Sequence, residues 1–558
     1  MSFIVKKNIH GNDYYYLNEN KRVKGKVKTK TLAYLGKKKR EAEKRADEIL
    51  KARMERRDEK QIESNVEKVQ AKKTESTSIT VEEIATFCKR KGFVFSSGEI
   101  YGGLSGFWDF GVLGTELEKN LKESWWKFHV YQRNDIVGID GSIITHPKVW
   151  EASGHVESFV DIAVINKKTK EKFKVDKFEA EKYKKNPQYE IKGEFNPMFT
   201  TNVGPLTEDS VKAYLRPETA QLIFANFRNV LDTGRMKLPF GIAQIGKSFR
   251  NEIAPRDFLF RAREFEQMEI EYFINPKEEC PYEIPDMEIL IYSEEMQKKN
   301  LDAERMSLKK AHEKKIIKTK WHAYWLAQEM MWFESLGANK KKFRARQHIS
   351  DEKSHYSSDT WDFEYEFPFG WKELLGIANR TDYDLKQHQK LSGKDLTVFD
   401  EQTKERFLPH VVCEPSLGVG RAFLVFLFDS YFYDEKRQNV VLKLNPLLSP
   451  VKAAVFPIIK KKEFDEMAEQ IVQELRKDWN ITYDRSGSIG RRYARNDEIG
   501  TPFCITIDDK SEKNNDVTIR ERDTGNQIRV KRQVLREILR KLINSEISFE
   551  KAGKPFNF

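Results

Sequence analysis

Two runs of alternating side chains joined by a proline-bearing turn, RNEIAPRDFLFRAREFEQMEIEYF at residues 250–273, constrain this chain more than any other stretch. In extended chain, side chains two apart share a face. Arg250 therefore lies beside Glu252, Arg261 beside Arg263 and Phe265, and Gln267 beside Glu269 and Glu271. Pro255 and Asp257 in the joining IAPRDFLF favour a turn. The pattern predicts an antiparallel hairpin with one heavily charged side. Solvated sheet faces with cross-strand ion pairs have that composition. So does a floor for an anionic, aromatic ligand: arginine forks phosphate, phenylalanine offers a ring to a base, and glutamate accepts hydrogen bonds from amines. ATP together with a small amine uses all three.

Just upstream, GIAQIGKS at 241–248 fits the phosphate-loop pattern G-x-x-x-x-G-K-[ST] letter for letter. That loop needs a helix after it, with the helix N-terminus facing the phosphates. Strand alternation and Pro255 follow instead, and IAQI is apolar, so the match is set aside.

The chain has 558 residues, with 99 Lys and Arg against 87 Asp and Glu, a formal +12. The excess favours a polyanionic partner. Cys88, Cys280, Cys413 and Cys504 are far apart, which supports neither a disulfide framework nor a cysteine zinc site and fits a reducing compartment. No apolar run is long enough to span a bilayer, and MSFIVKKNIHGND lacks the apolar stretch of a signal peptide. A soluble cytoplasmic protein is expected, with no membrane partner.

Texture divides the chain into 1–76, 77–446 and 447–558. The first segment reads as two strands around a turn at Gly25, then a charged helix striped by Ala42, Ala46, Ile49 and Met54, then a linker. Thr80-x-x-Glu83 is a capping box that opens the body. RPETAQLIFANFRNVL predicts a helix with Pro217 at its first position, and the Lys- and Glu-rich 280–345 reads as a helical insertion. From 447, VKAAVFPI, a stripe from Phe464 to Leu475 and three further strands predict a compact α/β domain.

The hairpin, with its Arg-x-Glu, loop and Arg-x-x-x-Phe, resembles motif 2 of the class II aminoacyl-tRNA synthetases. EPSLGVGRAFLVFLF at 414–428 resembles their motif 3, a strand running into a helix. Arg421 falls in the first turn of that helix, where a cation opposes the macrodipole. Stacking on adenine accounts for it better than a structural role. WEASGHVESF, YLRPETAQLIF, RQHISDEKSHYSSDTWDFEY, NRTDYDL and RRYARNDEIGTPF resemble the glycyl-tRNA synthetases of the dimeric archaeal and eukaryotic type, over about 80–558. The resemblance implies an α+β fold: an antiparallel catalytic sheet flanked by helices, and a mixed-sheet α/β anticodon-binding domain. It implies a two-fold homodimer, ATP and Mg2+ as cofactors, and glycine and tRNA(Gly) as partners.

It also assigns residues. Arg250 falls on the α-phosphate, Glu252 near the adenine amine, and Arg261 at the distal phosphates. Phe265 and Arg421 enclose adenine, Asn251, Phe260 and Leu374 complete the ATP set, and Glu373 sits near an ATP-bound magnesium ion. Glu218, Glu269, Arg380, Glu414, Pro415 and Ser416 form the glycine set. Carboxylates would hold the ammonium, Arg380 would pair with a carboxylate, and a crowded pocket would exclude every side chain. Arg250 and Arg421 carry the catalysis, which needs no protein nucleophile: glycine's carboxylate attacks the α-phosphorus and the tRNA 3′ hydroxyl then attacks the glycyl carbonyl. The sequence shows no base for that second step.

In the last domain Arg491, Arg492 and Arg495 are expected on RNA phosphates, while Tyr493 and Phe503 are expected to pack. The run SFVDIAVINKKTKEKFKVDKF after the SGH stretch has none of the cysteines that some relatives carry there, so no zinc is expected. His146 is expected to pack, and His155 to lie near the active site or to make a structural hydrogen bond. The 1–76 extension resembles N-terminal segments of certain transposases and is expected to act as an RNA-binding arm. Two rivals remain: a non-catalytic synthetase-like RNA-binding protein, against which the intact ATP set argues, and a synthetase for another small amino acid. Synthesis of dinucleoside polyphosphates is a side activity the resemblance allows.

Overall fold

The computed structural model describes residues 2–9, 12–23, 26–41, 43–45, 79–175, 177–206, 210–350, 352, 358–401 and 403–556. The chain divides into two units, Met1–Ser78 and Ile79–Phe558. The first holds an antiparallel sheet of β1 (Ser2–Ile9), β2 (Asn12–Val23) and β3 (Lys26–Gly36), one strand more than expected. The additional strand, β1, lies ahead of the two that flank Gly25. Most of the expected charged helix, with Ala42, Ala46, Ile49 and Met54, and most of the linker lie outside the described residues.

The second unit opens with α1 (Val81–Lys91), capped reciprocally by Thr80 and Glu83, and α2 (Val112–Trp126). Then come β4 (Ile136–Gly138) and a small sheet of β5 (Asp161–Asn166), β6 (Lys172–Val175) and β7 (Tyr189–Phe195). Next follow α3 (Ala220–Gly234), β8 (Phe240–Phe249), β9 (Glu264–Ile274), β10 (Glu288–Tyr292), β11 (Glu304–Ser307), α4 (Lys320–Ser335) and β12 (Phe343–Gln347). The body closes with β13 (Asp359–Phe367), β14 (Gly370–Asn379), α5 (Tyr383–Ser392), β15 (His410–Gly418) and α6 (Val419–Ser430).

Nine strands form one sheet in the order β11-β10-β12-β13-β14-β15-β9-β8-β4. Its pairings are antiparallel except β10 with β12 and β8 with β4. Strand β9 shows why this sheet is buried on both faces. Met268, Ile270, Tyr272 and Ile274 enter the main core with α2, α4 and α6. On the other face Phe273 joins Ile223, Phe224 and Phe227 of α3 in a second core. Between these apolar anchors the second face carries Gln267, Glu269 and Glu271.

Residues 280–345 depart from the helical insertion expected of them. They supply β10, β11 and most of β12 to the sheet, and α4 buries Trp321, Trp325 and Trp332 against it. The alternations EILIY and FRARQ carried strand propensity that the surrounding Lys and Glu content obscured. The helix expected at Pro217 begins at Ala220, because contacts to the hairpin hold residues 216–219 out of it.

The C-terminal part has its own core and a mixed sheet. It comprises β16 (Ala453–Pro457), α7 (Lys462–Leu475), β17 (Ile481–Tyr483), α8 (Ile489–Glu498), β18 (Phe503–Ile507), β19 (Asp516–Glu521), β20 (Gln527–Lys531), α9 (Leu535–Ile543) and β21 (Lys554–Pro555), with strand order β17-β16-β18-β19-β20-β21. All four cysteines are buried and unbridged. Among the described residues no helix is long and apolar enough to cross a membrane.

The phosphate-loop look-alike lies within β8 itself, a largely buried strand. Packing explains its second glycine. A Cβ on Gly246 would stand 2.1 Å from the Arg216 guanidinium. Arg216 is buried and donates from Nε to the Lys247 carbonyl at 2.7 Å and from a terminal nitrogen to the Gly141 carbonyl at 2.6 Å. It cannot swing aside without orphaning those carbonyls. Gly246→Ala should therefore lower folding stability by about 1–3 kcal/mol, read as a drop in chemical-denaturation midpoint. An unchanged midpoint would mean that Arg216 relaxes freely.

Candidate active site

Between the end of β8 and the start of β9 the chain loops over a cavity of about 400 Å³. Strand register builds the floor. Gly376 of β14 faces Ser416 of β15, Ser416 faces Glu269 of β9, and Glu269 faces Gln244 of β8. In the adjoining row Ala378 faces Glu414. Small residues on β14 leave space that the glutamates of β9 and β15 point into.

One end is cationic and aromatic. Arg250 donates from Nε to the Pro217 carbonyl at 2.9 Å, and its guanidinium lies 5.5 Å from the Phe265 ring centre and 5.6 Å from that of Phe159. Arg421, third residue of α6, donates to the Glu373 carbonyl at 2.9 Å, sits 3.2 Å from its carboxylate and lies 4.7 Å over Phe260. Glu252 and Arg261 line the same wall, with Lys174 of β6 at 3.6 Å from Glu252. On the wall formed by β12 and β13, His348 Nε2 meets Asp362 at 2.8 Å. Burial pushes the Asp362 carboxyl up to about 6 against the pull of His348. Burial disfavours a charged His348, yet the Asp362 contact wins and raises it.

The other end gathers buried acids. Glu269, Glu271 and Glu414 bring carboxylate oxygens within 4.8 Å of one another. Arg380, 1% exposed, forks Asp384 at 2.7 and 2.9 Å and reaches Glu414 at 2.9 Å. Thr219 donates to Glu269, and Gln267 bonds Ser416 at 3.0 Å. His155 lies 3.4 Å from Glu218 and is itself held by Ser153 at 2.8 Å. Burial raises the Glu218 carboxyl, but His155, Arg380 and Arg250 outweigh it and hold it below the usual range. Burial, with Arg380 opposing and Glu269 and Glu218 reinforcing, pushes Glu414 up to about 8. Burial and Glu218 raise Glu269. Glu271, whose two oxygens have no hydrogen-bond partner, is pushed well above the usual range by burial and by Glu414.

Residues 199–431 match the tRNA synthetase class II core domain (G, H, P, S and T), and 452–542 match the anticodon binding domain. Among curated proteins, glycine–tRNA ligase of Corynebacterium glutamicum is 42% identical over 81% of this chain and 95% of its own length. That of Streptomyces coelicolor is 43% identical over the same shares, and that of Treponema denticola 42% identical over 83% and 96%. The chain belongs to the glycine–tRNA ligase family. Residues 4–66 of this ligase also match the N-terminal domain of IS1634 family transposases.

The ligase brings Glu218, Arg250, Glu252, Phe260, Arg261, Phe265, Glu269, Glu373, Glu414, Ser416 and Arg421 to one cavity. Four expected residues stand outside it. Asn251 is exposed, Leu374 and Pro415 are buried within the sheet, and Arg380 acts on Glu414 from behind. Arg263 also departs from the shared face, because the strand breaks at 261–263 and its guanidinium bonds the carbonyls of Glu252 at 2.9 Å and Ser105 at 2.8 Å. His348, Asp362, Lys174 and Thr219 were missed. His348 and Asp362 sit in a quoted motif, RQHISDEKSHYSSDTWDFEY, whereas nothing marks Lys174 among its neighbouring lysines. His146 caps a short helix, accepting from the Lys148 amide at 3.2 Å.

In the C-terminal part the three arginines separate. Arg491 is exposed. Arg492 is buried and donates to the carbonyls of Pro457 at 2.7 Å, Asp484 at 3.3 Å and Ile458 at 3.3 Å. This corrects its expected place on an RNA phosphate: its helix faces the sheet there, and the guanidinium satisfies backbone. Arg495 is partly open and bonds Asp484 at 2.6 Å. Tyr493 bonds Thr506 at 2.8 Å and packs on Phe456, and Phe503 stacks on Phe549, so both aromatics pack as expected.

A neutral Glu271 has a measurable signature. Its unfolded form ionises above about pH 4.3 while the folded form keeps its proton, so its contribution to stability falls as pH rises. Glu271→Gln removes that dependence. The variant should gain on the parent in melting temperature, more at pH 7.5 than at pH 5. An equal gap at both pH values would mean that Glu271 is ionised and paired.

Proposed function

We propose that this cavity carries both steps of glycine–tRNA ligation, with the residue roles that the family resemblance assigns. The observation that carries the proposal is the joining of two opposite chemistries in one chamber: arginines stacked on phenylalanines at one end and a buried acid cluster at the other. ATP fits the first end. Arg250 takes the α-phosphate, Arg261 the distal phosphates, and adenine lies between Phe265 and Arg421 with Glu252 at its amine. Phe260 backs Arg421. Magnesium bound with ATP would be held by Glu373 and would neutralise phosphate charge; the hard oxygens suit it, since Glu373 and Asp362 both face the gap above Gly376, where an added Cβ would lie 3.8 and 4.0 Å from them.

Glycine's ammonium fits the acid end, at Glu218, Glu269 and Glu414, with Ser416 beside them. Arg380 positions Glu414. Because burial pushes Glu414 up to about 8 even beside Arg380, an incoming ammonium favours its ionised form, and binding near neutral pH releases protons. A side chain on the amino acid would meet a floor of buried carboxyls that cannot accommodate a methyl without losing contacts. Glycine's carboxylate then attacks the α-phosphorus, expelling pyrophosphate. The tRNA 3′ hydroxyl next attacks the glycyl carbonyl, expelling AMP. Charge on the α-phosphate is met by Arg250 in both steps. The C-terminal part takes the anticodon, and two copies form a homodimer in the cytoplasm.

The test is glycine-dependent ATP–pyrophosphate exchange without tRNA, with alanine and serine as controls. Exchange with glycine alone is expected, and Arg250→Ala should remove it, by about a hundredfold or more. Near-normal exchange in that variant would refute the α-phosphate role, and exchange with alanine or serine would refute the pocket.

On the RNA side the arginines divide. Arg491→Ala should weaken tRNA binding and make its salt dependence shallower by about 0.7–0.9 in log–log slope, leaving stability intact. Arg492→Ala should instead lower the melting temperature. Equal effects of the two on RNA affinity would overturn the division.

A further inference from the structure

We infer that the sheet face of the N-terminal unit carrying Tyr14, Tyr16 and Tyr34 binds a single-stranded stretch of tRNA. The tRNA assignment rests on the ligase reading above. Register and alternation create the face. Tyr16 pairs with Tyr34 across β2 and β3, and Lys7 pairs with Tyr14 across β1 and β2. Tyr15 and Leu17, one step out of phase, are buried together with Leu35. That side is the unit's packed face. On the opposite side Tyr34 is 50% exposed, with its ring centre 5.3 Å from Tyr16 and 6.3 Å from Tyr14. Lys7 Nζ stands 5.3 Å from the Tyr16 ring centre, and Lys37 Nζ 5.1 Å from that of Tyr14.

Three clustered tyrosines flanked by ammonium groups suit one chemical class. Every base has a flat face to stack on a ring, and the phosphates between bases meet the lysines. Charge agrees: residues 1–40 hold twelve Lys and Arg against Asp13 and Glu19, and 1–78 hold 22 against 12, so most of the chain's +12 lies in this unit. Stacking and phosphate contacts of this kind read no sequence, so the face adds affinity and leaves identity to the rest of the ligase. Covalent attachment to a body that already engages tRNA raises the local concentration of both. A duplex suits the face less well, since its bases are already stacked.

The experiment uses the full-length protein and fluorescently labelled tRNA(Gly), followed by anisotropy between about 50 and 200 mM salt. Tyr34→Ala should weaken binding about fivefold or more, and Tyr34→Phe should restore it. Lys7→Ala with Lys37→Ala should make the log–log salt slope shallower by about 0.7 per lysine. Glycine-dependent exchange measured without tRNA should match the parent in every variant; it controls for folding and reads the ligase assignment separately. Unchanged affinity and slope in both variants would overturn the inference. So would a loss seen with duplex DNA and not with tRNA, which would assign the face to DNA.

Discussion

Burying acids with too few counter-charges to go round is among the costliest things a fold can do, and this sheet gathers several of them in one place. Glu269, Glu271 and Glu414 lie together beneath the cavity, with Glu218 at its side. Arg380 supplies a guanidinium, already forked on Asp384, and Thr219 supplies a hydroxyl. Glu271, which has no partner, is pushed well above the usual carboxylate range, which favours its protonated form. Much of the surrounding architecture serves that arrangement. Residues 216–219 stay out of α3 so that Pro217 and Thr219 can contact Arg250 and Glu269. Phe273 anchors the acid-bearing face of β9 to α3, while Met268 and Ile270 anchor its back to the main core.

Sequence periodicity made the hairpin, the strand-to-helix passage at Gly418 and the α/β character of the C-terminal part legible, because alternation and amphipathic spacing leave direct marks in the residue order. It was a poorer guide where burial overrode local composition. The segment 280–345 is rich in charge, yet EILIY and FRARQ join the central sheet, since a five-residue alternation is too short to stand out among lysines. In the site, Arg-x-Glu, Arg-x-x-x-Phe and Gly-x-Gly-Arg announced the cationic wall. Lys174 approaches from a separate small sheet and left no local signal. Thr219 was hidden inside an expected helical turn.

Arginine shows the limit most clearly. Nothing in the residue order separates Arg491 from Arg216, Arg492 and Arg522. The latter three spend their donors on main-chain carbonyls: Arg522, for example, reaches Gly500 and Leu444, both at 2.7 Å. Such a side chain is a structural strut, and its identity depends on which carbonyls the fold leaves unmatched. That information exists only once the chain is folded. The same logic dissolves the phosphate-loop look-alike, where Gly246 makes room for one of these struts.

The four cysteines have a practical corollary. Burial pushes the thiols of Cys88 and Cys504 up to about 12 and raises Cys280 and Cys413 as well. A thiol that is both enclosed and reluctant to ionise reacts slowly with alkylating reagents. The native chain is thus a quiet background for site-directed probes: a single cysteine placed on an exposed loop can carry a dye or spin label while the four natural ones stay in place, sparing the core the repacking that a cysteine-free background would impose.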